Sequence, residues 1–165
     1  MPANKAYVLG LTGGIASGKS EAAKILKALG AKHVDADAIS RELTAKDGAA
    51  LSEIRAVFDA DVFEADGTLN RRALGTVVFS DPKKKRVLEG IQHPMIRQRM
   101  EEEIRTAGRE GYAVALLDVP LLFEAGMDGL CDEVWTLSVD ERTQIRRIVM
   151  RDGLTETQAR ARIAA

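Results

Sequence analysis

Apolar positions from Tyr7 to Leu11 form a short continuous run that ends in Thr12-Gly13-Gly14. Beyond it Ala22, Ala23, Ile25, Leu26 and Leu29 recur at helical spacing until Gly30 stops them. The pattern predicts strand, loop and helix in that order. His33 and Val34 predict a second short strand that delivers Asp35 and Asp37 at its carboxyl end, and Ala113–Val119 and Val134–Val139 are two further compact apolar runs. Strands that alternate with helices imply a parallel sheet covered on both faces. The stretch from Ala38 to Gly111 reads mainly as helix and is too long for a crossover, so it is expected to form an inserted helical lobe. Asp81-Pro82 and His93-Pro94 are expected helix starts, with proline at the first helical position. After the fourth strand Asp140 is expected to cap a helix running to about Arg151, and Thr155-Glu156-Thr157-Gln158 has the spacing of a capping box for another. The fold class that follows is α/β, a three-layer α/β/α architecture on a parallel sheet. It is read as one domain over residues 1–165, with a core at 1–37 and 112–140, the helical lobe at 38–111 and a partial lid at 141–165.

Composition narrows the partners. Lys and Arg total 24 against 25 Asp and Glu, a net charge of −1, so no global field gathers nucleic acid or an anionic membrane, and a polyanionic ligand must be held locally. The single cysteine, Cys131, forms no intramolecular disulfide, which fits a reducing cytoplasm; its neighbours Leu130 and Asp132 bring no cation to activate it. The first apolar run is broken by glycine too soon for a signal peptide or a membrane span. A soluble cytoplasmic protein is expected. The segment Lys83-Lys84-Lys85-Arg86 reads as a solvated first helical turn rather than a nucleic-acid patch, and Met95, Met100 and Trp135 read as core or lobe residues.

Gly13-Gly14-Ile15-Ala16-Ser17-Gly18-Lys19-Ser20 satisfies G-x-x-x-x-G-K-[ST], and it lies between an expected strand and an expected helix. Glycines let such a loop turn its N–H groups inward, so that loop and helix N-terminus form a nest for phosphate oxygens. Lys19 then supplies a cation to the β and γ phosphates of ATP, and the Ser20 hydroxyl is placed to bind Mg²⁺. The guanine-reading Asn-Lys-x-Asp of GTPases is absent, since Asn4-Lys5 is followed by Ala6-Tyr7. A lobe after the second strand and a basic segment after the fourth match the layout of small-molecule kinases, in which closure excludes water.

GLTGGIASGKS, VDAD at Val34–Asp37, DGTLNR at Asp66–Arg71, HPMIR at His93–Arg97, DVPLLFE at Asp118–Glu124, and Gln144 with Arg147 and Arg151 together resemble dephospho-coenzyme A kinase. The resemblance runs from the first strand to the end of the chain. It implies transfer of the γ-phosphoryl of ATP, with Mg²⁺, to the ribose 3′-hydroxyl of dephospho-coenzyme A. The runner-up readings are another P-loop nucleotide or small-molecule kinase, and a P-loop protein that binds ATP without transferring anything. Ala16 stands where the family usually has glycine, and it is expected to be tolerated at negative φ. The family usually continues past Ala165 with a further strand beside the fourth and an adenine-side loop. Without them, weaker adenine contacts and self-association at the sheet edge are expected.

Asp37, at a strand's carboxyl end, is the candidate to orient and deprotonate the acceptor hydroxyl, and the resemblance places the family's active-site aspartate there. Asp35 is its rival, with capping of the next segment as the plainer role. Asp118 ends an apolar strand where P-loop enzymes hold a carboxylate near Mg²⁺, and the resemblance makes Glu124 a second acidic candidate on the substrate side. Arg147 and Arg151 lie four apart on one helix face. On spacing alone that is a solvated face; the resemblance makes them lid arginines that meet the nucleotide. Arg71, His93 and Arg97 fall inside the lobe, where the resemblance implies contact with the substrate's phosphates and adenine.

Overall fold

The computed structural model describes residues 5–164. In chain order its main elements are β1 (Tyr7–Gly13), α1 (Lys19–Ala28), β2 (Lys32–Asp35), α2 (Ala36–Leu43), α3 (Leu51–Val57) and α4 (Arg71–Ser80). There follow α5 (Pro82–Arg109), β3 (Val114–Asp118), β4 (Glu133–Leu137), α6 (Glu141–Asp152) and α7 (Glu156–Ala164). Residues 5–34 with 104–164 form one compact unit and residues 35–103 the other. The division falls at 34/35 and 103/104, so α5 contributes to both units, whereas the lobe expected from sequence spans 38–111.

The first unit is built on the parallel sheet, whose strand order is β2-β3-β1-β4. β1 sits between two neighbours, and its interior is buried almost without interruption, as a strand covered on both faces requires. It pairs with β3 so that Leu11 faces Asp118, and with β4 so that Gly13 faces Leu137. Leu9, Leu11, Leu116 and Ala23 of α1 form a core between sheet and helix. Asp140 caps α6 by accepting from the Thr143 amide at 2.9 Å. Thr155 and Gln158 form the reciprocal capping box of α7, the Gln158 side chain accepting from the Thr155 amide at 2.9 Å and the Thr155 hydroxyl from the Gln158 amide at 3.3 Å. Trp135 is not a core residue: β4 is an edge strand, and the indole lies 45% exposed, donating to Glu133 at 2.9 Å.

The second unit is helical around Ala50, Ile54, Phe58, Val62 and Leu74. Its DGTLNR segment is a turn followed by a cap. The Asp66 carboxylate accepts from the Thr68 amide and hydroxyl, and the Asn70 side chain caps α4 by accepting from the Ala73 amide at 2.8 Å. His93-Pro94 does not start a helix, because α5 runs unbroken from Pro82 to Arg109 with Pro94 inside it. Pro94 removes one N–H from the helical ladder and crowds the carbonyl four residues earlier, but Leu88, Ile91 and Met95 on either side pack against the unit's core. Burial of that flank outweighs the local penalty. Asp81-Pro82 does start a helix, the Asp81 carboxylate accepting from the Lys83 amide at 2.8 Å. Lys85 and Arg86 are solvated, as their composition suggests.

Candidate active site

The glycine-rich loop leaves β1 at Gly13, where no side chain fits: a Cβ would stand 2.6 Å from the Leu137 carbonyl oxygen and 2.7 Å from Ser17 Oγ. Gly18 holds φ +102 and begins α1 with no side-chain cap. The backbone amides of Ile15, Ala16, Gly18, Lys19 and Ser20 donate to no protein acceptor among the described residues, and the buried Ser17 hydroxyl is also unpartnered. A run of free donors at a helix N-terminus is an anion nest. Ala16 departs from expectation, since its φ is +58 rather than negative. The left-handed turn is needed for the loop to fold back, and alanine there carries a strain that glycine would not.

Two side chains meet Asp118 at the carboxyl end of β3. The Lys19 ammonium pairs with Asp118 Oδ1, and His33 Nε2 on β2 lies 3.1 Å from Oδ2. Asp118 is only 9% exposed, so it needs both partners. Beside this group opens a cleft of about 1060 Å³, at the upper end of the ~300–1,000 Å³ typical of ligand pockets and roomy enough for a nucleotide. The loop, Pro120, Leu121, Phe123, Glu124, Arg147 and Arg151 line it. Leu122 is instead fully buried, while Leu121 and Phe123 stay exposed at the cleft. Ser20 and Asp118 bring oxygen donors next to the nest, and no cluster of three metal-binding side chains occurs among the described residues. That sparse oxygen set suits Mg²⁺, which keeps water and phosphate ligands of its own.

α6 reaches the loop from the lid segment. Gln144 donates to the Ile15 carbonyl at 2.9 Å and Arg147 to the Ala16 carbonyl at 2.9 Å, while Ile15 and Ala16 pack on the Ile145, Ile148 and Ala159 core of α6 and α7. Arg151 turns away to a bidentate pair with Asp152 at 2.7 and 2.9 Å. That pairing holds the guanidinium still more firmly protonated and the Asp152 carboxyl below its usual range. Thus Gly13–Ser20, Asp118, Glu124, Arg147 and Arg151 are brought together in the first unit. Asp37, Arg71, His93 and Arg97 belong to the second. There Asp35 caps α2 by accepting from the Ala38 amide at 3.0 Å, and Asp37 stands exposed in the first turn with no hydrogen bond or ion pair among the described residues. Arg71 donates to the Arg41 carbonyl at 3.0 Å, Arg97 to Glu101 at 3.2 Å, and His93 is a half-buried residue inside α5. Cys131 stands apart from the cleft; burial, with Asp128 and Asp132 nearby, pushes its thiol up to about 11, so it is no nucleophile.

His33 and Gln144 carry contacts that sequence reading gave no role. Gln144 entered the resemblance beside Arg147 and Arg151 without a partner, and His33 only as a strand residue, because each partner is reached only through helix docking or strand order.

The family model for dephospho-CoA kinase matches residues 7–165. The chain belongs to the dephospho-CoA kinase family. A dephospho-CoA kinase of Shouchella clausii is 45% identical over 157 residues, 95% of this chain and 80% of that protein. The dephospho-CoA kinase of Anaeromyxobacter dehalogenans is 46% identical over 158 residues, 96% of this chain and 75% of its own length. Among solved structures, a Thermus thermophilus protein superposes with a TM-score of 0.78 at 32% identity, covering 95% of this chain and 78% of that one. The dephospho-CoA kinase from Campylobacter jejuni gives 0.62 at 26% identity, over 97% of this chain and 79% of its own. As a dephospho-CoA kinase, the chain is an ATP-dependent phosphotransferase that acts on dephospho-CoA in coenzyme A biosynthesis. No helix among the described residues of this family member is long and apolar enough to cross a membrane.

Proposed function

We propose that the cleft of the first unit takes the triphosphate of ATP, and that the γ-phosphoryl passes to the ribose 3′-hydroxyl of dephospho-CoA. The observation that carries the reading is the nest itself: five loop amides without protein acceptors among the described residues, beside a lysine whose present partner is a replaceable carboxylate. Lys19 exchanges Asp118 for β and γ phosphate oxygens. The loop amides bind the same anion without moving, so their dipoles are already oriented when charge builds in the transition state. Arg147 leaves the Ala16 carbonyl for the transferring group, and Arg151 adds a second guanidinium at the cleft's edge.

Ser20 and Asp118 are the residues that would hold Mg²⁺, whose charge, when bound, offsets that of the β and γ oxygens. Asp37, exposed and unpaired, orients the acceptor hydroxyl and takes its proton. Arg71, His93, Arg97 and Glu124 contact the acceptor. The reaction runs in the cytoplasm on a free small-molecule substrate, with no nucleic acid or membrane as partner.

The test is a coupled ADP-release assay with dephospho-CoA as the varied acceptor, followed by phosphorus NMR of the product. ADP release that requires dephospho-CoA, with a new 3′-phosphomonoester, is expected. Release indifferent to dephospho-CoA, or phosphate at another position, overturns the proposal.

A further inference from the structure

Asp118 carries two partners, and the nucleotide can take away only one of them. In the structure Lys19 holds Oδ1 and His33 holds Oδ2 at 3.1 Å, with the three side chains 12 to 24% exposed. The carboxylate can only accept, so the His33 Nε2 that faces it carries the proton and donates. When Lys19 turns to phosphate oxygens, a carboxylate that is only 9% exposed loses its cation. If nothing else held it, Asp118 would resist that exchange, because a buried carboxylate stripped of its partner is costly. His33 comes from β2, on the far side of β3 from the loop in the strand order, so it stays in place while the lysine moves.

We propose that His33 is a positioning residue that keeps Asp118 satisfied in both states and so frees Lys19 to bind phosphate. The inference rests on the phosphate-site reading of the loop, but it concerns affinity for ATP rather than transfer. It predicts that His33 acts wholly through Asp118. His33→Leu should weaken ATP binding about tenfold, the scale of one hydrogen bond to a charged group, because Asp118 then keeps Lys19 to itself. His33→Gln, whose amide nitrogen reaches about as far as Nε2, should restore binding. His33→Asn, which stays polar but is too short to reach Oδ2, should behave as the leucine variant does and guards against a leucine chain that fails to fold.

The experiment is calorimetric titration of ATP in excess EDTA, so that neither metal nor turnover enters, on the parent and these variants, each also combined with Asp118→Asn. The expected result is a loss with Leu and Asn, recovery with Gln, and no further loss from either variant once Asp118 is Asn. Unchanged affinity in both Leu and Asn variants, failure of Gln to restore it, or a loss of equal size in the Asp118→Asn background overturns the role of His33. Those outcomes leave the phosphate site standing, provided the parent binds ATP; a parent that binds none overturns both.

Discussion

At the scale of single residues, the ion pair between Lys19 and Asp118 changes what a substitution does. From the motif alone, Lys19→Met deletes a phosphate contact and leaves stability untouched. In the fold it also strands a mostly buried carboxylate, whose side chain is 12% exposed. Lys19→Met is therefore expected to cut turnover by at least ~10²-fold and to lower stability by about 2 kcal/mol, and turnover assays with urea melts on one preparation check both. The stability loss should shrink in a Lys19→Met, Asp118→Asn double variant. Asp37→Asn, by contrast, touches no internal partner, so it is expected to lower kcat by roughly 10²- to 10⁴-fold with the melt unchanged. A variant with normal kcat and a raised acceptor KM would make Asp37 a binding group instead. Ala16 at φ +58 makes a third test: Ala16→Gly should relieve strain and raise stability by about 1 kcal/mol, less what glycine adds to the freedom of the unfolded chain.

Elements obey their caps and breakers to different degrees. Asp140 and the Thr155–Gln158 box do what their spacing predicts, because a cap is settled within four residues of chain. Asp140→Ala should destabilise by about 1 kcal/mol, read as a lower thermal midpoint, and it should weaken the seat of Gln144 and Arg147 on the loop because α6 frays from its first turn. Pro94 fails as a breaker since tertiary packing of α5 outranks a local preference. Pro94→Ala restores an N–H to the ladder and should stabilise by roughly 1–2 kcal/mol after the loss of proline's rigidity in the unfolded chain, as a raised urea midpoint at constant slope would report.

For the whole molecule, pH dependence follows from carboxylates held in place by hydrogen bonds. The Val8 amide, with Lys5, holds the Asp132 carboxyl below its usual range; Thr143 does the same for Asp140, Arg151 for Asp152 and Thr68 for Asp66. Each folded-state value lies below the unfolded one, so each contribution is complete above the unfolded value of ~3.9 and is lost as pH falls through the folded values. Stability is expected to be level with respect to these groups from about pH 5 upward and to decline below ~4, as urea melts across that range would show. Asp132→Asn should flatten part of the acid limb. Cys131 behaves in the opposite sense: with its thiol pushed up to about 11, it should resist iodoacetamide at pH 8 in the folded chain and react once urea opens it.

Some features were legible in the sequence because their causes are local. The glycine-rich loop, the strand before it, the helix after it, and the caps of α2, α6 and α7 are each settled by residues within a few positions of one another. The family resemblance was legible for the same reason, as a series of short motifs in a given order. The strand order is not local, and it alone puts β2 beside β3, hence His33 against Asp118, and leaves β4 at the edge with Trp135 exposed. Ala16 takes its positive φ where α6 seats against the loop's carbonyls, a contact between residues some 130 positions apart. The continuity of α5 through Pro94 depends on a core contributed by helices earlier in the chain. In each case two segments distant in sequence compete with a local preference, and the burial or pairing they gain together exceeds what either segment prefers alone.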